Sequence, residues 1–455
     1  MTERKLFGTD GIRGPANVEP LTPELALRLG RALTEVASRH RTGQTPRIVI
    51  GKDTRLSGYL LETALASGVC AAGGLVLLSG PIPTPAVAHL THSMRADAGV
   101  VISASHNPYQ DNGIKLFGPD GFKLPDAEEA ELEAILADPN LVARGAVGAR
   151  IGRAERVDDA SGRYIVHAKA TFPRDLRLSG IRLVVDAAHG AAYRVAPAVF
   201  AELGADVIPI GCRPSGTNIN DGHGALHLDR VAREVTRRKA DLGIALDGDA
   251  DRVIFVDGRG MVVDGDAIMA LCATRMLKER RLPKKTLVAT VMSNMGLELA
   301  LQQAGGKLRR TAVGDRYVVE EMRRGGFGFG GEQSGHLIFL QHTTTGDGLV
   351  AALQVLAVLV REQRALHELG GVLQRIPQLL HNVTLPDRRP LDGMPQLSRQ
   401  ISLVERALGK RGRVLVRWSG TEPKLRVMLE GPDPKRLETF CEDLVRAAKH
   451  DLASP

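Results

Sequence analysis

Short apolar runs of strand length alternate along the chain with segments of helical spacing. The apolar runs at 47–50, 98–102 and 181–185 each lead into a polar loop, as strands of α/β units do. Helical spacing with acidic residues near the start occupies 21–37 and 126–136. This alternation predicts an α/β fold with parallel or mixed sheets, in which ligands bind at the carboxyl ends of the strands.

The length of the chain indicates more than one domain. At 455 residues it exceeds what a single hydrophobic core usually organises. A Gly- and Arg-rich stretch at 143–153, a turn at 257–260 and a Pro-rich stretch at 376–395 are typical of connections. We therefore predict four domains, at about 1–155, 156–256, 257–370 and 371–455.

Charge and composition narrow the class of partner. The formal net charge is +8, but the basic residues are dispersed rather than arranged in a stripe. Aromatic residues make up only 4% of the chain, which leaves few platforms for stacking single-stranded nucleic acid. We expect no nucleic-acid partner, whereas an anionic small substrate agrees with the positive charge.

Other features argue against zinc binding, secretion and membrane insertion. The four cysteines are far apart and lack the spacing of a zinc site. The N-terminus lacks the apolar run of a signal peptide, which predicts a cytoplasmic protein. Residues 63–94 carry no Asp, Glu, Lys or Arg, but several glycines and prolines interrupt them, so we expect no membrane span.

The first candidate for chemistry is the hydroxyl of Ser105. It lies in Ser-Ala-Ser-His-Asn-Pro at 103–108, directly after the apolar run at 98–102. A hydroxyl at the carboxyl end of a strand is well placed to act as a covalent nucleophile. For an isolated Ser-His pair a simple turn is the alternative, and neither a G-x-S-x-G elbow nor a Ser/His/Asp triad is identifiable.

Three alternating carboxylates, Asp247, Asp249 and Asp251, lie between two apolar runs. Alternate residues of an extended loop share a face, so the three can converge on one hard cation such as Mg²⁺. An EF-hand is excluded because Arg252 and Gly258 stand where Gly and Glu are needed. A haloacid-dehalogenase-type phosphotransferase and a solvated acidic turn stay open as alternatives.

Two further polar loops are candidates for sugar and phosphate binding. Glu332 and Ser334 are flanked by glycines and can contact the hydroxyls of a sugar. The G-x-G-x-x-G match at 326–331 is rejected as a dinucleotide site because no helix clearly opens behind it. A set of guanidiniums and small polar residues within ten positions can cradle a phosphate: Arg417, Ser419, Gly420, Thr421 and Arg426.

Taken in order, the loops at 103–108, 247–252, 331–336 and 417–423 resemble the four active-site loops of the alpha-D-phosphohexomutase superfamily. The resemblance spans nearly the whole chain. It implies an α/β protein of four domains around a central cleft, three of them α/β domains with mixed sheets and the last a smaller C-terminal α+β domain. In chain order they would bear the phosphoserine loop, the metal site, the sugar site and the phosphate site.

The resemblance also implies residue roles. Ser105 matches the phosphorylated serine, and Asp247, Asp249 and Asp251 match the ligands of one Mg²⁺, with a phosphoserine oxygen from Ser105 as a further ligand. Glu332 and Ser334 match residues that contact the sugar. The residues that match the phosphate cradle are Arg417, Ser419, Gly420, Thr421 and Arg426. Arg13, Lys115 and His336 match residues lining the reacting centre, without an assignment of acid or base.

Within the superfamily, residues 313–318 and 331–336 are most similar to phosphoglucosamine mutases. That similarity implies an isomerase that interconverts glucosamine 6-phosphate and glucosamine 1-phosphate, with a hexose 1,6-bisphosphate as intermediate and activator. A phosphoglucomutase or phosphomannomutase stays open because the sequence barely separates the sugars. A noncatalytic phosphosugar or nucleic-acid binder is the alternative from another class. The implied partner is a phosphosugar rather than a membrane, and a homodimer is one candidate assembly.

Overall fold

The computed structural model describes residues 6–8, 10–40, 44–385, 387, 389–418 and 424–453. The chain divides into two compact units, one of residues 1–292 with 305–372 and the other of residues 293–304 with 373–455. The larger unit holds three β-sheets and the smaller unit holds one. Among the described residues, no helix is both long and apolar enough to cross a lipid bilayer.

The first sheet contains the strand that leads to Ser105. Its elements are β1 (Ile12–Pro15), α1 (Pro23–His40), β2 (Arg47–Lys52), α2 (Ser57–Ala71), β3 (Leu75–Pro81), α3 (Thr84–Ser93), β4 (Ala98–Ile102), β5 (Asp111–Phe117), α4 (Asp126–Leu136) and β6 (Arg153–Arg156). The spatial order is β1-β5-β4-β2-β3-β6, with β2 parallel to β3 and β4, and β5 antiparallel to β4. Every residue of β4 is buried, which agrees with its continuous apolar sequence. The register places Lys115 opposite Val101, on the strand beside the one that leads to Ser105.

The second sheet contains the strand that leads to the three aspartates. Its elements are α5 (Ala160–Ala170), β7 (Arg182–Asp186), α6 (Val195–Glu202), β8 (Asp206–Ile210), α7 (Leu228–Arg238), β9 (Leu242–Leu246), β10 (Val253–Asp257) and β11 (Val262–Val263). The order is β11-β10-β9-β7-β8, with β9 parallel to β7 and antiparallel to β10. Because β9 and β10 are buried throughout, the polar turn between them is held by two rigid strands.

The third sheet carries the turn that contains Glu332 and Ser334. Its part of the chain comprises α8 (Gly265–Lys278), β12 (Thr286–Thr290), β13 (Lys307–Thr311), α10 (Asp315–Gly325), β14 (Phe329–Gly331), β15 (Leu337–Phe339), α11 (Gly348–Glu362) and α12 (Leu366–Leu369). The order is β13-β12-β14-β15, parallel except for the β14–β15 hairpin. The side chain of Asp347 caps α11 by accepting from the amides of Leu349 and Val350, each at 3.0 Å.

The smaller unit is built on an antiparallel sheet. It comprises α9 (Met295–Gln303), β16 (Gln378–Thr384), α13 (Pro395–Leu408), β17 (Arg413–Trp418), β18 (Lys424–Glu430) and α14 (Pro434–Ala453). The strand order is β16-β18-β17, and the core includes Val427 and Leu429 of β18 with Leu444 of α14. The predicted α/β class, with mixed sheets followed by a smaller α+β unit, is confirmed. The boundaries between the four predicted domains stay predictions.

Candidate active site

Ser105 lies in the tight loop that follows β4. The residue is 1% exposed, and its backbone φ is 53°, in the left-handed region that non-glycine residues rarely adopt. Its amide donates to Oγ of Ser103 at 2.9 Å, and that hydroxyl donates to Asp53 at 2.6 Å. The surrounding contacts therefore hold the serine in a costly conformation, as occurs at functional sites.

The hydroxyl of Ser105 is directed at the acidic turn between β9 and β10. Its Oγ donates to Oδ2 of Asp247, a residue 142 positions away in the sequence. Ligand atoms of Asp247, Asp249 and Asp251 lie within 4.8 Å of one another, and all three residues are buried. The structure thus brings the predicted nucleophile together with the three predicted metal ligands.

The acidic turn fits a hard divalent cation. Among the described residues, Oδ1 of Asp249 and Oδ1 of Asp251 are buried without a hydrogen-bond partner. Burial raises the pKa of Asp247 well above its ordinary value, and the charges of Asp251 and Asp249 raise it further. A cation with oxygen ligands would compensate this repulsion and occupy the unpartnered oxygens. The turn therefore has the chemistry of a metal site.

Lys115 on β5 places a positive charge among these carboxylates. Its Nζ lies 2.8 Å from Oδ2 of Asp249 and 3.2 Å from Oδ2 of Asp251. It also lies 3.3 Å from Oδ2 of Asp10, and its side chain is only 1% exposed. Burial acts to lower the pKa of Lys115, but the neighbouring carboxylates outweigh burial and raise that pKa well above its usual value. Lys115 therefore carries a charge in this site.

His336 and Arg13 lie near carboxylates of the same network. His336 directly precedes β15, with Nδ1 3.7 Å from Oδ1 of Asp251 and Nε2 3.3 Å from Oδ2 of Asp315. Burial acts to lower the pKa of His336, yet Asp315 and Asp251 raise it overall. Arg13 on β1 forms an ion pair with Asp10. The three residues predicted to line the reacting centre, Arg13, Lys115 and His336, thus meet in one charge network.

Four residues of this network are not predicted by the sequence reasoning: Asp10, Thr84, Lys123 and Asp315. Lys123 bridges Asp10 and Asp315. Thr84, at the start of α3, donates its hydroxyl to Oδ2 of Asp249 at 2.6 Å and its amide to the Asp249 carbonyl at 2.9 Å. Asp10 lies within a glycine-rich segment, Gly-Thr-Asp-Gly, that could have indicated it, whereas nothing around Thr84 or Lys123 distinguishes those residues.

Glu332 and Ser334 lie in the turn between β14 and β15. Glu332 accepts from the Gly314 amide at 3.1 Å and from the Ser334 hydroxyl at 3.3 Å. Glu332 is half-buried and Ser334 is exposed, so both have polar atoms that a ligand can reach. Their contact with sugar hydroxyls stays a prediction.

The smaller unit holds the two arginines of the predicted phosphate cradle. Arg417 on β17 lies directly opposite Arg426 on β18, and like charges in that relation repel. Burial lowers the pKa of Arg417, and the charge of Arg426 lowers it further. An anion between the two guanidiniums would relieve this repulsion. The other three cradle residues, Ser419, Gly420 and Thr421, lie outside the described residues.

Four family profiles match the chain in order. The alpha/beta/alpha domains I, II and III of phosphoglucomutase/phosphomannomutase match residues 4–141, 162–260 and 264–376, and the C-terminal domain matches 380–447. The chain belongs to the phosphoglucomutase/phosphomannomutase family. The predicted superfamily is thereby confirmed.

Relatives of this phosphohexomutase are similar over nearly their whole length. The phosphoglucosamine mutase of Sorangium cellulosum (strain So ce56) is 64% identical over 451 residues, which cover 99% of this chain and 94% of the relative. That of Anaeromyxobacter sp. (strain Fw109-5) is 60% identical over 447 residues, covering 97% and 94%. A solved phosphoglucomutase/phosphomannomutase family protein from Burkholderia thailandensis is 26% identical with a TM-score of 0.81, covering 98% of this chain and 97% of that chain.

Proposed function

We propose that this protein is a phosphoglucosamine mutase, which interconverts glucosamine 6-phosphate and glucosamine 1-phosphate. The hydrogen bond from the buried Ser105 hydroxyl to Asp247 carries the proposal, because it puts a nucleophile beside an acidic metal site. The relatives that are 64% and 60% identical, both named phosphoglucosamine mutase, support the amino sugar as the substrate.

The reaction consists of two phosphoryl transfers through Ser105. In the first, O1 of glucosamine 6-phosphate bonds to the phosphorus on Ser105, the bond from phosphorus to Oγ breaks, O1 loses its proton and Oγ gains one. The product is glucosamine 1,6-bisphosphate, which then turns over in the site. In the second transfer, Oγ of Ser105 bonds to the phosphorus of the 6-phosphoryl group, the bond from that phosphorus to O6 breaks, Oγ loses its proton and O6 gains one. The products are glucosamine 1-phosphate and phosphoserine. A hexose 1,6-bisphosphate can start the cycle by phosphorylating Ser105.

The charged residues around Ser105 stabilise and orient the reacting groups. Lys115 and Arg13 supply positive charge where negative charge develops on the transferred group. His336, Lys115 and Arg13 are the candidates for the proton transfers. Glu332 and Ser334 would orient the sugar. The distal phosphate would bind to the cradle, namely Arg417, Ser419, Gly420, Thr421 and Arg426, so that binding energy positions the acceptor.

Mg²⁺ is the cation that we propose for Asp247, Asp249 and Asp251, because a set of oxygen ligands suits it. When bound, it supplies charge compensation for the phosphoryl group in transfer. Phosphoserine adds nearly two negative charges near neutral pH and offers a further oxygen ligand. The cytoplasmic location and the homodimer stay predictions.

The proposal is tested by substrate comparison and by removal of the nucleophile. The protein is given Mg²⁺, a trace of hexose 1,6-bisphosphate and separately the 6-phosphates of glucosamine, glucose and mannose, and each 1-phosphate is followed by phosphorus NMR. Glucosamine 6-phosphate should be converted fastest, and faster conversion of another sugar would overturn the substrate assignment. No conversion of any of the three would overturn the mutase function.

Ser105→Ala should abolish turnover and the mass increase of about 80 Da that bisphosphate treatment adds to the wild type. Ser79→Ala is the matched control, since the Ser79 hydroxyl donates to the Ile50 carbonyl at 3.1 Å and has no other hydrogen bond among the described residues. Full activity of Ser105→Ala would refute the nucleophile assignment.

A further inference from the structure

Resting on the proposed function, we propose that Asn220 is a positioning residue that aligns the phosphoryl carrier with the metal-binding turn. Asn220 lies between β8 and α7, in the part of the chain that forms the second sheet. Ser105 and Arg55 belong to the part that forms the first sheet. Asn220 and Arg55 together form a clamp on the Ser105 loop, and neither residue has a role in the chemistry described above.

The clamp consists of two nitrogen atoms that each bond to the same two backbone carbonyls. The Ser105 carbonyl accepts from Nη2 of Arg55 at 2.9 Å and from Nδ2 of Asn220 at 2.9 Å. The Asn107 carbonyl accepts from the same two nitrogens, at 2.8 and 3.0 Å. Because Ser105 has a left-handed backbone, which is unfavourable for a residue with a side chain, the loop needs such contacts to keep this conformation.

Asn220 is itself fixed to the sheet that bears the aspartates. The backbone amide of Asn220 donates to the Ala188 carbonyl at 2.8 Å. The carboxylate of Asp186, at the end of β7, accepts from the amides of Ala188 at 2.9 Å and of Gly224 at 3.0 Å. Strand β7 pairs in parallel with β9, the strand that leads to Asp247. The clamp nitrogen and the metal-binding turn are therefore anchored to neighbouring strands.

The metal-binding turn also packs directly on the clamp. A Cβ at Gly248 would lie 2.4 Å from the Ser105 carbonyl oxygen and 3.0 Å from Nδ2 of Asn220, which leaves no room for a side chain. Asn220 thus contacts both the loop that carries the phosphoryl group and the turn that carries the aspartates. Loss of the side-chain amide of Asn220 should disturb the alignment of Ser105 Oγ with Asp247. The contacts of Asn220 give it no part in sugar binding.

Two substitutions test the clamp. Asn220→Gly removes the donor at a φ of 60° that glycine adopts without strain. Asn220→Asp keeps the size of the side chain but removes the donor, and it places a carboxylate against the carbonyl oxygens of Ser105 and Asn107. The control Asn218→Ala lies in the same loop. Within the part of the chain that the structure describes, the Asn218 side chain bonds only to the Ser215 amide at 2.8 Å and the Arg213 carbonyl at 3.0 Å.

The readouts are the single-turnover rate at which hexose 1,6-bisphosphate phosphorylates Ser105, the steady-state kcat and KM, and the thermal midpoint of unfolding. For both Asn220 variants we expect the phosphorylation rate and kcat to fall on the order of 10- to 100-fold, because small misplacements of reacting groups have such effects. We expect KM for the sugar phosphate to change by less than about two-fold. Asn218→Ala should retain the wild-type rates.

The outcomes separate this proposal from the proposed function. Wild-type phosphorylation rates in both Asn220 variants, with an active wild-type enzyme, would overturn the clamp and leave the mutase function standing. A loss of rate that Asn218→Ala shares would also overturn it, because it would show a general effect of the loop. A wild-type protein that neither accepts a phosphoryl group nor converts any sugar phosphate would overturn the proposed function and the clamp with it.

Discussion

Replacing Lys115 by methionine tests whether this lysine and a divalent cation compensate the same carboxylates. Methionine has an apolar side chain of similar length, and it lacks the positive charge that in lysine lies 2.8 Å from Asp249 and 3.2 Å from Asp251. Breaking a buried ion pair by removing one partner costs about 3–5 kcal/mol, because the other charge stays buried without compensation. In EDTA we therefore expect the free energy of unfolding of Lys115→Met to fall by roughly this amount.

Added Mg²⁺ should recover much of this loss. With one fewer fixed cation among the carboxylates, the acidic turn of the variant should bind Mg²⁺ more tightly than that of the wild type. A ligand at 100 times its Kd stabilises the folded state by about 2.7 kcal/mol. We expect the thermal midpoint of unfolding to rise by several degrees more in Lys115→Met than in the wild type when EDTA is replaced by Mg²⁺, at roughly 2–4 °C per kcal/mol. The midpoints are measured by circular dichroism at matched ionic strength.

Lys52→Met is the matched control for this experiment. Lys52 is also buried and pairs with Glu62, which is not one of the residues of the acidic turn. This variant should be destabilised to the same extent in EDTA and in Mg²⁺. The reasoning is refuted if Mg²⁺ raises the midpoint of Lys115→Met no more than it raises those of the wild type and Lys52→Met.

Two further predictions concern the metal-binding turn and the phosphate cradle. Thr84→Val removes the hydroxyl that donates to Asp249 at 2.6 Å, and the Mg²⁺ concentration for half-maximal activity should rise about 10-fold, as for other partners of metal ligands. Thr91→Val, whose hydroxyl bonds to the Val87 carbonyl at 2.8 Å, is the control, and an equal effect of both variants would contradict the prediction. Arg417→Met should raise KM for the sugar phosphate about 10-fold or more with a smaller change in kcat. The exposed Arg436→Met should change neither parameter, and an unchanged KM in Arg417→Met would remove Arg417 from the cradle.

Much of the fold could be predicted from the pattern of apolar residues. The predicted strand at 98–102 and the predicted helix at 126–136 coincide with β4 and α4. The strand predicted at 181–185 is observed one residue later, as β7. The helix predicted at 21–37 is observed at Pro23–His40, as α1. These elements could be predicted because apolar residues repeat within a few positions, so that the signal is local.

The charge network around the site was harder to predict from the sequence, because it depends on packing between distant segments. Lys123 contacts Asp10 at a separation of 113 residues and Asp315 at a separation of 192. No local pattern marks a lysine for such a position, whereas Ser105 and Asp247 follow buried strands and stand within recognisable motifs. Sequence reasoning therefore identified the loops that bear reactive groups more readily than the residues that hold those loops together.

The contacts that align Ser105 with the aspartates join the part of the chain that forms the first sheet to the part that forms the second sheet. Ser105 donates to Asp247, Thr84 donates to Asp249 at 2.6 Å, and Asn220 donates to the Ser105 carbonyl at 2.9 Å. Each of these hydrogen bonds is buried, so breaking one leaves an unpaired polar group rather than a hydrated one. Phosphoryl transfer requires that the attacking and leaving oxygens keep a narrow geometry relative to the metal ligands. The residues that fix this geometry thus contribute to the rate of the proposed reaction, even though they carry no reacting atom.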